Sequence, residues 1–303
     1  MQPLLRFMSV AAILFPDFTL ILLGFLLMRL ADWGTPFWSG LEKMIYYILF
    51  PSLLFYSTAR TAFDFGSTGK MLQVALIVTV SGIALGWLAK LMFRSGPMLF
   101  ESGVQTAFRF NSYIALAIAS RLGGEQGTSL MALLIGFAVP LCNMAAVHAL
   151  VHKNGGLLRE LAKNPLLVAT ASGMAFNLLG LHLPEVVSAT LGRLANASIA
   201  LGLITVGAGL RLSGLHEAKG MAGYFLAVKL LALPAAGLIL GRWAGLPALQ
   251  LQIAVAFCAL PTASSAYVLA ARMGGNGGFV AFLISAGTLL SVLTLPFWLG
   301  LAF

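Results

Sequence analysis

Apolar stretches of about twenty residues follow one another along the whole chain, separated by little more than short polar connections. A helix needs roughly 20 apolar residues to cross a hydrocarbon layer about 30 Å thick. The pattern therefore predicts about ten spans, at residues 9–30, 40–59, 71–93, 103–121, 128–151, 165–183, 190–210, 221–241, 249–271 and 279–301. The longest connection, His152 to Asn164, leaves no room for a soluble domain. Charged residues make up 9% of the 303, where a soluble domain carries roughly 25%. The segments lack the roughly ten-residue alternating strands of an outer-membrane barrel. What remains is an all-α integral membrane protein of about ten transmembrane helices.

The net charge of +9 would suggest nucleic acid in a soluble protein. Here the basic residues sit at helix ends and in short loops, so the partner they imply is the lipid bilayer and not nucleic acid. Odd-numbered connections hold Arg29, Lys43, Lys90, Arg94, Lys153, Arg159, Lys163, Arg211, Lys219 and Arg272, against Arg6, Arg60, Lys70, Arg121, Arg193 and Arg242 on the other side. Ten against six places the odd loops in the cytoplasm and both termini outside. The N-terminal apolar run continues to Leu30 without a cleavage context, so it reads as the first span and not as a signal peptide. Cys142 and Cys258 lie in apolar segments without metal-ligand spacing, and no cofactor is expected. Gly66–Lys70 lacks the spacing of a phosphate-cradling loop, which argues against ATP-driven transport by this chain alone.

Phe257 to Gly275 carries Pro261 in its middle, followed by Thr262, Ser264 and Ser265. Proline removes one backbone donor and clashes with the carbonyl a turn back, so a break is expected there. A break at membrane depth is tolerated only where protein or a water-filled cavity satisfies the freed groups.

The chain also repeats itself. Arg121-Leu-Gly-Gly-Glu-Gln-Gly127 matches Arg272-Met-Gly-Gly-Asn-Gly-Gly278, and Pro16 and Gly24 are spaced like Pro165 and Gly173. Gly82-xxx-Gly86 in the third span has a counterpart in Gly237-xxx-Gly241 of the eighth. Three matches in one order, at offsets near 150, predict a duplication into residues 1–152 and 165–303, joined by a cytoplasmic loop at 153–164. Each half has five spans, an odd number, so the second copy enters the membrane inverted. The same offset pairs Pro261 with Phe110 and Thr262 with Asn111. Two broken helices, the fourth and the ninth, should then cross with two half-helix N-termini at one point.

Arg109 and Lys229 are the only basic residues placed well inside spans, and no carboxylate is expected at their depth. A buried cation costs at least a few kcal/mol, so each needs a counter-charge, a dipole or water. An anionic substrate supplies one. The alternatives are that Arg109 only neutralises the C-terminal end of the first half-helix, and that Lys229 snorkels to the cytoplasmic face. Asn111, Ser112, Thr262, Ser264 and Ser265 would bind the substrate or cap the breaks. Asn143 would face the same cavity or act as interhelical glue. Asp17, after Pro16, suits the start of a helix, with proton coupling as the alternative. His148 lies a turn from the cytoplasmic end, where a proton relay is the alternative to a plain interfacial residue.

The chain resembles the bacterial branch of the auxin efflux carrier family, which includes carriers named for malonate and is related to plant PIN-type carriers. The resemblance rests on PDFTLILLGFLL at 16–27, FPSLLF at 50–55, FRFNSYIALAIA at 108–119, VPLCN at 139–143, NPLLVATASG at 164–173, KLLALP at 229–234 and ALPTASSAYVLAARMGG at 259–275. It implies two inverted five-helix repeats with crossing fourth and ninth helices, in a bacterial inner membrane. Spans 1, 2, 6 and 7 would form a scaffold and the other six a moving bundle. Pro51 and Ser52 would face the site from the scaffold, although a plain proline kink explains them too. Many relatives have Gly-x-Pro where this chain has Ala115-Leu116-Ala117.

The function expected is secondary transport of a small organic anion, carboxylate in type, by alternating access. A coupling proton and a homodimer are left open by the residues. A sodium-coupled symporter or a cation/proton antiporter is the rival, and it needs carboxylates near mid-membrane. An intramembrane enzyme would need an Asp pair, a Ser–His dyad or an HExxH on facing helices, and none is present.

Overall fold

The computed structural model describes residues 2–60, 65–93, 96–150, 165–210, 218–263, 265–272 and 274–303. Among these, all regular structure is helical. In chain order the helices are α1 (Gln2–Leu30), α2 (Gly34–Met44), α3 (Phe50–Arg60), α4 (Phe65–Met92), α5 (Pro97–Gly103) and α6 (Ser112–Leu150). They continue as α7 (Pro165–Leu178), α8 (Glu185–Ala208), α9 (Lys219–Ala227), α10 (Leu233–Trp243), α11 (Ala248–Ala259), α12 (Ser265–Arg272) and α13 (Gly277–Ala302). Five helical stretches among the described residues are long and apolar enough to cross a membrane. Large apolar side chains such as Leu30, Leu91, Val186 and Trp243 stand exposed on the outside, where lipid would cover them.

Several expected spans are made of more than one helix, and the interruptions have local causes. A π-turn at Ile45–Leu49 joins α2 to α3 ahead of Pro51, and another at Val228–Ala232 joins α9 to α10 ahead of Pro234. In each, the residue before the proline bonds five residues back, Phe50 to Ile45 and Leu233 to Val228, so the extra residue is absorbed where proline cannot donate. Within α6, Gly123 and Gly124 leave helical geometry, Gly124 with φ of 55°, and the chain doubles back there. That pair divides α6 into a first arm, residues 112–122, and a second arm, residues 125–150. Helical geometry runs unbroken through Ala115–Ala117.

Two packings organise the molecule. The helix α1 lies on α8 and α3 on α7, these being the most extensive helix contacts. Glycines make the first contact close: a Cβ on Gly24 would run into the Ile204 backbone, and one on Gly207 into the Ile21 backbone. The other packing surrounds the broken helices. Gly82 of α4 lies against Leu233 of α10 and then Phe108, and Gly86 against Val104 and Ala107, while Gly237 and Gly241 of α10 lie against Cys258 and Leu251 of α11. Gly86 and the Gly237–Gly241 pair thus let each helix lie on the half-helix that follows it in sequence.

Contacts at the helix ends sort into two groups. One end joins Arg60 to Glu125, Arg121 to Asp17, and the Asn177 amide to the Ala59 carbonyl. The other joins Ser102 to the Asn276 backbone, Trp87 to Phe100 and His148, and Phe93 to Tyr224.

The first span differs from expectation. Pro16 and Asp17 do not open a helix but lie in the interior of α1, whose first residues are those preceding them. Proline is tolerated inside a membrane helix because neighbouring groups satisfy the freed carbonyl. Asp17 is therefore not an N-terminal acid; it is buried, at 7% exposure.

Candidate functional site

Both breaks fall where the residues predict them, by different means. The helix α11 ends at Ala259, and Leu260 turns extended at ψ of 140°, as a residue before proline must. Pro261, Thr262 and Ala263 carry no helical structure, and α12 begins at Ser265. On the other strand, α5 tightens into a 3₁₀ turn at Val104–Ala107, and residues 108–111 are irregular. No proline stops the helix here. Asn111 starts the next one: its Oδ1 accepts from the backbone N–H of Tyr113 at 3.0 Å and of Ile114 at 3.3 Å. These are the orphan donors that an N-cap satisfies.

The two breaks are stitched to each other. The Asn111 N–H donates to the Pro261 carbonyl at 2.8 Å, and the Thr262 hydroxyl donates to the Thr106 carbonyl at 2.8 Å. Phe110 and Phe257 meet edge to face with centroids 4.6 Å apart. Asn111 and Thr262 are therefore committed to backbone, Asn111 capping its own half-helix and Thr262 bridging to the other strand. Pro261 contributes its carbonyl.

Beside this crossing lies Arg109, at 9% exposure. Its Nη1 donates to Gln105 Oε1, and its Nη2 to Asn143 Oδ1 and Ser265 Oγ, each at 3.0 Å. Three segments thus converge on one guanidinium: its own strand, the second arm of α6, and the start of α12. All three acceptors are neutral. Two of its five N–H groups make no hydrogen bond among the described residues. From the π-turn the Tyr46 phenol comes within electrostatic reach of Arg109, and from α3 Phe50 packs on Tyr113 with ring centroids 4.6 Å apart.

Lys229 is buried more deeply, at 3% exposure, inside the π-turn that precedes Pro234. The Cys258 and Cys142 thiols lie within electrostatic reach of it, and no hydrogen bond or ion pair holds it among the described residues. It does not join the Arg109–Asn143–Ser265 set; Cys142, whose thiol donates to the Phe108 carbonyl, lies within reach of both cations. Ser112 opens α6 and makes no side-chain hydrogen bond among the described residues, and Ser264 lies outside them. Ser52 donates its hydroxyl to the Ile48 carbonyl on its own helix, and Pro51 is half-buried behind the π-turn. Gln105 was not among the expected residues, although its position four before Arg109, on the same helix face, could have suggested it.

Residues 145–299 match a protein family described as "Membrane transport protein". That is about half of the chain. The chain belongs to this family. It is 26% identical over 299 residues, covering 94% of this chain and 93% of the relative, to a protein named "Putative malonate transporter" from Rhizobium meliloti (strain 1021). It is also 26% identical over 290 residues, 92% of this chain and 94% of the relative, to one named "Uncharacterized transporter" from Methanothermobacter thermautotrophicus. As a member of this transport family, the chain is a multi-pass membrane transporter and not an enzyme. The matched region contains Lys229, Pro261, Thr262 and Ser265, whereas Arg109, Asn111 and Asn143 precede it.

Proposed function

We propose that this transporter carries a small organic anion of the carboxylate type, by alternating access, with the substrate seated at the crossing against Arg109. One observation carries the reading: a buried guanidinium whose acceptors among the described residues are all neutral, with two donors left over there. Such a cation is unfavourable unless a negative charge joins it, and a carboxylate suits its forked donors. The positive ends of half-helices at the crossing add to the same field. The name of the Rhizobium meliloti relative points to the same substrate class.

The architecture proposed is two inverted five-helix repeats, residues 1–152 and 165–303, around a connecting loop at 153–164. In support, Gly86 of α4 and Gly237 and Gly241 of α10 pack on the half-helices that follow them. Spans 1, 2, 6 and 7, held by the α1–α8 and α3–α7 contacts, form the scaffold, and the rest form the moving bundle. Anion binding neutralises the bundle's cation and lowers the cost of carrying it past the scaffold, whereas the bare site resists that motion. Both termini are placed outside an inner membrane.

Uptake into proteoliposomes tests this. Labelled malonate and related small acids should accumulate, with unlabelled acids competing and with no requirement for sodium. Indifference to every anion, with a response to sodium or to cations, would overturn it.

A further inference from the structure

Among the described residues, three charged side chains are buried: Arg109, Lys229 and Asp17. The acid pairs with neither of the buried bases. Its Oδ1 accepts from Arg121 Nη2 at 3.4 Å, and its Oδ2 has no hydrogen-bond partner among the described residues. A carboxylate offers about four acceptor sites, and a charge-assisted N–H···O bond normally closes to about 2.7–2.9 Å. Asp17 is therefore a buried carboxylate held loosely on one oxygen and bare on the other. That state is the one most readily exchanged for the protonated acid.

Its place in the fold gives the exchange a purpose. Arg121 ends the first arm of α6, just ahead of the Gly123–Gly124 turn, and its side chain is half-exposed. A second ion pair, Arg60–Glu125 at 3.3 Å, ties the same turn to the end of α3, where Arg60 also bonds the Tyr56 hydroxyl. In the two-body reading above, α1 and α3 belong to the scaffold and α6 to the bundle, so both pairs cross the sliding surface at one end. Motion of the bundle takes Arg121 away from Asp17. The carboxylate would then be left among α1, α8 and α13 with no cation. The helix α13 has no charged residue, and α8 offers only Glu185 and Arg193, which line a separate cavity with Val186, Ala189, Thr190 and Leu194. On α1 itself the basic residues are Arg6, about three turns before Asp17, and Arg29, which is stacked over Phe25. A proton taken up by the carboxylate would remove the charge that Arg121 leaves unpaired.

We propose that Asp17 is the coupling proton site of this transporter, holding Arg121 in the conformation seen here and a proton in the alternate one. The proposal rests on the alternating-access reading, so its test has one arm that needs no transport. A hydrophobic carbodiimide, dicyclohexylcarbodiimide, modifies buried carboxyls only when they are protonated, and peptide mass spectrometry of the full chain locates the adduct. Asp17 should be modified at about pH 5 and progressively less toward about pH 8. In Arg121→Gln the carboxyl loses its cation and keeps its proton to higher pH, so modification near neutral pH should rise at least about fivefold over the wild type. No adduct in Arg121→Gln at any pH, or one indifferent to pH, would overturn the proposal. In the transport arm, malonate uptake by the wild type should follow an imposed pH gradient, and Asp17→Asn should transport without responding to it. A wild-type-like response in Asp17→Asn would overturn the proposal too. Should the wild type move no anion at all, the transport reading fails by itself, and the carbodiimide arm still decides whether Asp17 takes up a proton.

Discussion

The two broken helices reach similar shapes by opposite routes. In the second half, the chain itself forbids the helix: Pro261 cannot donate, and Leu260 is pushed to an extended ψ of 140°. In the first half, nothing forbids it. A 3₁₀ turn, the Asn111 cap and the bonds to Pro261 and Thr106 hold the break open. One interruption is built into the backbone, and the other depends on side chains and on its partner. The charge divides as unevenly. Arg109 lies in the side-chain-held break, beside Asn143 and Ser265, whereas the corresponding position of the other break is Leu260. The break held by side chains is also the one that carries Arg109.

This difference can be broken or sharpened by substitution. The largest effect is expected at the cation: Arg109→Gln should lower anion uptake about 100-fold, the loss of roughly 3 kcal/mol of charge-assisted binding. Lys229→Gln, removing the cation that does not join the Asn143–Ser265 set, should cost less, about tenfold in uptake. Equal losses in the two variants would erase the distinction drawn between them. Next comes the cap. Asn111→Ala should destabilise the purified protein by about 1 kcal/mol, read as a lower unfolding midpoint, because two N–H groups lose their acceptor. Asn111→Asp should restore that stability while depressing anion uptake, since the cap survives but a negative charge faces the substrate. Thr262→Val should lower the midpoint by less than Asn111→Ala does, because Pro261 holds its break without that hydroxyl. Smallest of all, Ser52→Ala should leave uptake within about twofold, its hydroxyl being engaged with its own helix.

What could be read in the residues follows the same division. Pro261 announces its break because the constraint is covalent and local. Asn111 is legible only through the duplication and through its preference for caps, and the 3₁₀ tightening before it leaves no trace in composition. The π-turns ahead of Pro51 and Pro234 are likewise invisible, since a proline predicts a disturbance but not its form. Asp17 misled: beside Pro16 it looks like the start of a helix, and only its contact with Arg121, far along the chain, shows it to be buried. Gln105 escaped for the opposite reason, being an uncharged residue whose importance comes wholly from the arginine four positions on.

The central claim is that an anion sits against the Arg109 guanidinium, and equilibrium binding of labelled malonate to the purified protein tests it without any transport step. Saturable binding by the wild type, competed by related carboxylates and weakened about 100-fold or more in Arg109→Gln, is the result expected. Binding of equal affinity in Arg109→Gln, with the variant folded like the wild type, would contradict it.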